Sequence, residues 1–121
     1  MKYSSFEASK LFIDDKFPTC EIAFLAGSAS RGEETKTSDL DIVVFDNNSN
    51  EYRESFFMFG WRIECFIHNK ESYAKQLASD KESGKPILAT MIMEGKILID
   101  NGDAEKLKQE ASEFLLAEEK H

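Results

Sequence analysis

The sequence predicts an α/β (α+β) domain in which a short mixed β-sheet has its helices packed on one face. The apolar run at residues 22–26 has the composition of a fully buried strand. In residues 39–45, alternation places Asp39 and Asp41 on one face of a strand and Leu40, Ile42 and Val44 on the other, which has the composition of a core. Segments of helical composition precede and follow these strands, so helices and strands are interspersed along the chain.

The remaining elements follow from the same periodicities and from the Gly, Pro and Asn residues that interrupt them. We expect a helix at 5–17, strands at 19–26 and 39–45 with a short helix at 28–34 between them, a hairpin at 51–68 that turns near 59–60, helices at 71–82 and 86–94, a strand at 96–100 and a helix at 103–118.

A chain of 121 residues is long enough for one domain with one modest core, which we place at residues 1–121. No apolar run reaches the length of a membrane span, and the amino terminus lacks a signal-peptide pattern, so we expect a cytoplasmic protein. Cys20 and Cys65 both fall on predicted strands and form no metal-ligand cluster. Buried free thiols are therefore favoured over a disulfide.

The formal net charge is −8, from 23 acidic and 15 basic residues. A protein that grips a nucleic-acid backbone needs a basic stripe, and the sequence contains none. This composition argues against nucleic acid and favours a small molecule or a protein as the molecule acted on.

A tight Gly27-Ser28 turn follows the first strand. Gly27 has no Cβ, so a ligand can approach the main chain closely there. Ser28 and the backbone N–H groups after it can donate to an anion, and Arg31 adds a positive charge. The turn is therefore a candidate phosphate site.

The second strand begins with Asp39 and Asp41, which alternation places on one side, about 7 Å apart. Two adjacent carboxylates raise each other's pKa unless a cation lies between them. A hard divalent ion such as Mg²⁺, held by one or two carboxylates and by substrate phosphates, is the usual partner of such a pair.

Glu64 lies in the middle of a later strand, where an unpaired carboxylate is unfavourable. A cross-strand salt bridge with Arg53 or Arg62 would explain it, and so would a role as a third metal ligand. Glu54 is an alternative third ligand.

Gly27-Ser-Ala-Ser-Arg-Gly32 followed by Ser38-Asp-Leu-Asp41 resembles the signature of the DNA polymerase beta-type nucleotidyltransferase superfamily, and within it the minimal and kanamycin-type nucleotidyltransferase branch. The resemblance covers about residues 20–100 and implies the nucleotidyltransferase fold. Members have a third acidic residue on a later strand, more often Asp than the Glu64 found here.

The resemblance implies Mg²⁺-dependent transfer of a nucleoside monophosphate, AMP by preference, from ATP or another NTP to an acceptor hydroxyl on a protein or small molecule. Asp39 and Asp41 would bridge two metal ions, and Glu64 would complete the ligand set on the acceptor side and help to remove the acceptor proton. Gly27 and Ser28 would hold the β- and γ-phosphates, with Arg31 beside them.

Other functions remain open at this stage. Minimal members of the family often associate with a separate helical HEPN-type protein, so the chain could be an antitoxin-like interaction protein, and a catalytically weak nucleotide-binding module is a further alternative. The aromatic hairpin residues Tyr52, Phe56, Phe57, Phe59 and Trp61 suit core or homodimer packing, or base stacking. We expect His68 to be solvated at its strand end, with a substrate contact as the alternative.

Overall fold

Five strands form a mixed sheet in the computed structural model of the chain, which describes residues 3–35 and 37–119 without the side chains of residues 118 and 119. The strands are β1 (Ile22–Ala26), β2 (Leu40–Phe45), β3 (Tyr52–Met58), β4 (Trp61–His68) and β5 (Lys96–Ile99). The helices are α1 (Ser5–Lys16), α2 (Lys70–Ser83), α3 (Ile87–Glu94) and α4 (Ala104–Glu119), with a 3₁₀ helix at Gly27–Arg31.

The strand order across the sheet is β3-β4-β2-β1-β5. Strands β2 and β4 run parallel, and the other neighbouring pairs are antiparallel. The β3–β4 hairpin turns through Phe59 and Gly60, whose φ angles of 56° and 85° suit the right-handed twist of the strands. This hairpin places β3 at the edge and brings β4 back beside β2, which confirms the predicted mixed sheet.

Helices cover both faces of the sheet, so the expectation of helices on one face is wrong. One face packs Ala8, Phe12 and Ile13 of α1 against alternate residues of β1, β2 and β4. The opposite face packs α2, α3 and α4 against the intervening residues of β1 and β2, such as Phe24 and Val43. Both faces of β1 and β2 are apolar, and a strand buried on both faces needs a helical layer on each side.

The connection between α2 and α3 is short and is held by hydrogen bonds. Helix α2 ends at Gly84 in the left-handed conformation (φ 74°). The buried Asp80 carboxylate accepts a hydrogen bond from the backbone N–H of Leu88, 3.0 Å away, and thereby joins the end of α2 to the first turn of α3. Helix α3 is thus held at a fixed place on the sheet, next to the candidate site.

Within the described residues no helix is both long and apolar enough to cross a membrane. Cys20 and Cys65 are buried free thiols, which confirms that prediction.

Candidate active site

Gly27 makes the bend between β1 and the 3₁₀ helix, and its backbone lies against Asp41. Its φ angle is 70°, a conformation that side chains disfavour. A Cβ at this position would lie 2.6 Å from Asp41 Oδ2, closer than real contacts allow. Only glycine therefore permits both the bend and the close approach of the main chain to this carboxylate.

Strand register brings two of the three predicted acids side by side. Asp41 of β2 is paired with Glu64 of β4 across the parallel strands and with Ala26 of β1 on its other side. Neighbouring strands lie about 4.8 Å apart, and paired residues share a face of the sheet. Asp39 lies one residue before β2 and is exposed, so the structure begins the strand one residue later than the sequence predicts.

The carboxylate of Asp41 interacts electrostatically with those of Asp39 and Glu64. Burial raises the pKa of Asp41, the charges of Asp39 and Glu64 raise it further, and Arg53 partly offsets them. The carboxylates are thus close enough to repel, and the resulting excess of negative charge favours a bound cation.

Glu64 has protein partners in this structure. Its carboxylate accepts a hydrogen bond from Ser55 Oγ at 2.8 Å and forms an ion pair with Arg53 Nε at 3.3 Å. The salt bridge considered from the sequence is therefore present, with Arg53 rather than Arg62. The Arg53 side chain is 66% exposed, whereas that of Glu64 is 13% exposed, so the arginine can move away more easily than the glutamate.

No group of three or more His, Cys, Asp or Glu residues is arranged to hold a metal ion, as far as the described part of the chain goes. Glu54 is paired with the core residue Cys65 rather than with Glu64, so it lies on the other face of the sheet and is not part of the acidic group.

The short helix predicted at 28–34 is a 3₁₀ helix that begins one residue earlier and ends three residues earlier than expected. Ser28 is half-buried, and its hydroxyl has no hydrogen-bond partner in the described residues. Arg31 pairs with Glu33 at 2.6 Å and with Glu94 at the end of α3 at 3.0 Å. The guanidinium thus ties the 3₁₀ helix to α3 and already has two acidic partners.

Two cavities lie along α3, one reaching Gly27 and the other reaching Arg53. The first, of about 500 Å³, is lined by Gly27, Arg31, Gly84, Lys85, Pro86, Ile87, Thr90, Met91 and Glu94. The second, of about 530 Å³, lies on the β3–β4 side and is lined by Glu51, Tyr52, Arg53, Phe66, His68, Gln76, Asp80, Ile87, Leu88 and Met91. Ile87 and Met91 belong to both linings, so α3 separates the two spaces.

The sequence reading missed Lys85 and the role of Arg53 at these cavities. Lys85 follows the glycine that ends α2, a position that turn chemistry alone marks only as a loop. The guanidinium of Arg53 lies over the ring of Phe66, 4.8 Å from its centroid, while it pairs with Glu64. Only the β3–β4 register reveals that arrangement.

The expectation of a solvated His68 is wrong, because its side chain is buried against α2. The imidazole Nδ1 lies 3.0 Å from Ser72 Oγ and 3.5 Å from Glu51 Oε2. In the aromatic hairpin, Trp61 belongs to the core and Phe56 packs against it, while Phe57 is 76% exposed. Core packing therefore accounts for part of the aromatic content.

Comparison with known proteins identifies the family and the fold. Residues 10–110 match the family model described as "Nucleotidyltransferase domain", whereas no curated protein matches the chain. A solved structure, a nucleotidyltransferase-like protein from Exiguobacterium sibiricum 255-15, is similar in fold with a TM-score of 0.65 at 12% sequence identity. The similarity covers 88% of this chain and 38% of that one, so the chain spans well under half the length of that protein. Since the family match covers most of the chain, including the glycine bend and the acidic strand ends, the chain belongs to the nucleotidyltransferase domain family.

Proposed function

We propose that this domain transfers a nucleoside monophosphate, AMP by preference, from an NTP to an acceptor hydroxyl in a Mg²⁺-dependent reaction. The observation that carries the proposal is the contact of the Gly27 backbone with Asp41, next to the in-register pair of Asp41 and Glu64. A bend open to phosphate and a set of carboxylates suited to a divalent cation thus meet at one place.

The acidic residues fit a hard cation by their chemistry. Carboxylate oxygens are the ligands that Mg²⁺ prefers, and the raised pKa of Asp41, caused by burial and then by its acidic neighbours, is the condition that a bound cation relieves. Asp39 and Asp41 would hold the ion, and Glu64 would join them once Arg53 moves away. A bound metal would supply charge neutralisation at the α-phosphate and lower the pKa of the attacking hydroxyl.

Side chains and backbone of the protein would orient the NTP. Gly27 lets the main chain of the bend lie directly against the Asp41 carboxylate, and Ser28 beside it has a hydroxyl free to donate to a phosphate oxygen. Arg31 holds the 3₁₀ helix against α3 through Glu94, which keeps the cavity beside Gly27 in shape. We assign the NTP to this cavity.

The acceptor would enter from the β3–β4 side. The cavity of about 530 Å³ on that side is lined in part by Arg53, whose ion-pair partner Glu64 is one of the three acids. Its volume suits a small molecule or a protein side chain, and the net charge of −8 disfavours nucleic acid. Glu64, oriented by Ser55 and Arg53, would accept the acceptor proton.

The test is transfer from α-labelled ATP in the presence of Mg²⁺, with protein and aminoglycoside acceptors supplied separately. We expect a double variant, Asp39→Asn with Asp41→Asn, to lose transfer by at least about 100-fold. Because these changes remove like charges that repel each other, one of them on the half-buried Asp41, the variant should resist urea as well as the parent or better. Equal transfer by parent and variant would contradict the site assignment.

The Arg53–Glu64 ion pair favours a second candidate function. A carboxylate already paired with arginine suits a nucleotide-binding module with weak catalysis, working as an antitoxin-like protein with a separate helical HEPN-type partner. Nucleotide binding without label on any acceptor would favour this candidate, and label on the added partner would favour protein modification.

A further inference from the structure

The cavity beside Gly27 contains two cationic side chains with different surroundings. Arg31 is paired with both Glu33 and Glu94. Lys85 is exposed, and no acidic group of the described residues lies within ion-pair distance of it. The positive charge of Arg31 is therefore balanced within the protein, whereas that of Lys85 is not.

The main chain holds Lys85 in a defined place at the cavity. The Lys85 N–H donates to the carbonyl of Asp80 at 3.1 Å, and its carbonyl accepts from the Ile87 N–H at 2.8 Å. Gly84 on one side has a fixed left-handed conformation, and Pro86 on the other has a restricted φ. The ammonium group is thus carried on a flexible four-carbon side chain whose backbone is held in place by hydrogen bonds.

Electrostatics favour a cationic partner for a polyphosphate in this cavity. Of the charged side chains that line it, Glu94 is paired with Arg31, and Lys85 is the cation without an acidic partner among the described residues. The acidic group at Asp41 lies beyond Gly27, so a triphosphate tail would face like charge on that side. Lysine is a common point-charge partner of phosphate, and an ammonium without a counter-ion loses no existing pair on binding.

We propose that Lys85, rather than Arg31, binds the terminal phosphates of the NTP in this cavity, an inference that rests on the proposed function. Arg31 then acts as a positioning residue that fixes the distance between the 3₁₀ helix and α3. This reassigns the role that the sequence suggested for Arg31 and adds a specificity-determining residue that distinguishes triphosphates from monophosphates.

The first experiment measures binding of inorganic tripolyphosphate by calorimetry in EDTA, so that no metal contributes. We expect the Lys85→Met variant to bind about 10- to 100-fold more weakly than the parent, since one charge-assisted contact is lost. Lys85→Arg should retain most of the affinity. Lys81→Met, which removes the same charge from an exposed site four residues earlier, should bind like the parent.

The second experiment separates this inference from the proposed function. In transfer assays Lys85→Met should raise the KM for ATP with little change in kcat, while AMP binding stays the same, because the lost contact is to the distal phosphates. Tripolyphosphate affinity that is undetectable in the parent, or equal in the parent and Lys85→Met, would overturn the role of Lys85. Failure of the proposed function would show differently, as transfer that is unaffected by Asp39→Asn with Asp41→Asn.

Discussion

Gly27 links the backbone of the bend directly to the acidic group. Gly27 and Gly32 lie in the same loop and have nearly equal φ angles of 70° and 69°, but only at Gly27 would a Cβ meet another atom, Asp41 Oδ2. The two positions therefore separate the effect of backbone conformation from the effect of a steric clash.

We predict that Gly27→Ala lowers the free energy of unfolding by about 2–4 kcal/mol and abolishes Mg²⁺-dependent ATP binding, since the methyl group displaces the Asp41 carboxylate. Gly32→Ala should lower it by only about 1 kcal/mol, the conformational part alone. Urea unfolding and ATP titration check both values. Equal effects of the two substitutions would mean that the contact with Asp41 is unimportant.

Burial of His68 makes stability depend on pH. Desolvation lowers the pKa of His68 below its usual value of 6.5, against the opposing charges of Glu51 and Asp80. Below about pH 6.5 the unfolded chain binds a proton that the folded chain excludes, so the free energy of unfolding should fall as the pH decreases from there toward the folded-state pKa.

His68→Gln provides the comparison, because glutamine can still bond to Ser72 and does not titrate. Urea unfolding between about pH 7.5 and about pH 5.5 should show a smaller loss of stability in this variant than in the parent. The same pH dependence in both proteins would exclude His68 as its source.

At the level of single residues, the sequence predicted most of the groups that lie together at the candidate site. Alternation along a strand placed Asp41 on the face opposite Leu40, Ile42 and Val44, and the Gly-Ser turn marked the bend. The partners of Arg31 and Glu64 could not be predicted, because they depend on where α3 ends and on the β3–β4 register. The burial of His68 was missed because α2 covers its strand end through Ser72.

Among the elements, α3 matters most for the site because it borders both cavities. Its carboxyl end is held by Lys108 of α4, whose Nζ donates to the carbonyls of Ile92, Met93 and Gly95 at 3.0, 2.9 and 2.5 Å. A cation at a helix carboxyl end satisfies carbonyls that have no partner inside the helix and interacts favourably with the dipole.

Lys108→Met should therefore lower the free energy of unfolding by about 1–3 kcal/mol, because carbonyls at the end of α3 lose a charged donor. Lys106→Met removes the same charge from an exposed position on the same helix and should change stability by less than about 0.5 kcal/mol. Denaturant titration of the two variants gives the comparison. A loss no larger at Lys108 than at Lys106 would show that the cap is unimportant.

Element types were predictable because their periodicities are clear, and the boundaries of α1, β2 and α3 fall within a residue or so of the expected ones. The 3₁₀ geometry at Gly27–Arg31 was not, since composition does not distinguish a short 3₁₀ segment from the first turn of an α-helix. Its consequence is local, because the bend remains at Gly27.

For the whole molecule, the two-faced core explains why β1, and β2 beyond Asp41, are apolar on both faces. Phe12 of α1 is completely buried and contacts the rings of Phe17 and Phe56. The one-face expectation failed because the helical signal at 5–17 does not say which face of the sheet the helix covers.

Phe12→Ala should lower the free energy of unfolding by about 3–5 kcal/mol, a large part of the total for a domain of this size. Phe6→Ala, on the same helix but 40% exposed, should have a much smaller effect. Thermal and urea unfolding measure both. Similar losses for the two variants would argue that α1 is not part of the core. A homodimer through the aromatic hairpin residues stays a prediction, as does the absence of nucleic-acid binding.

The parallel pairing of β2 with β4 has one further consequence for how this domain tolerates change in its length. Asp41 and Glu64 are neighbours because of strand pairing, not because of the number of residues between them. Insertions in the exposed 46–50 turn can therefore accumulate without separating them. A shift of β4 by a single position would instead turn Glu64 toward α1 and expose Ile63. A mutation that disrupts the candidate site through such a shift would therefore also unfold the chain.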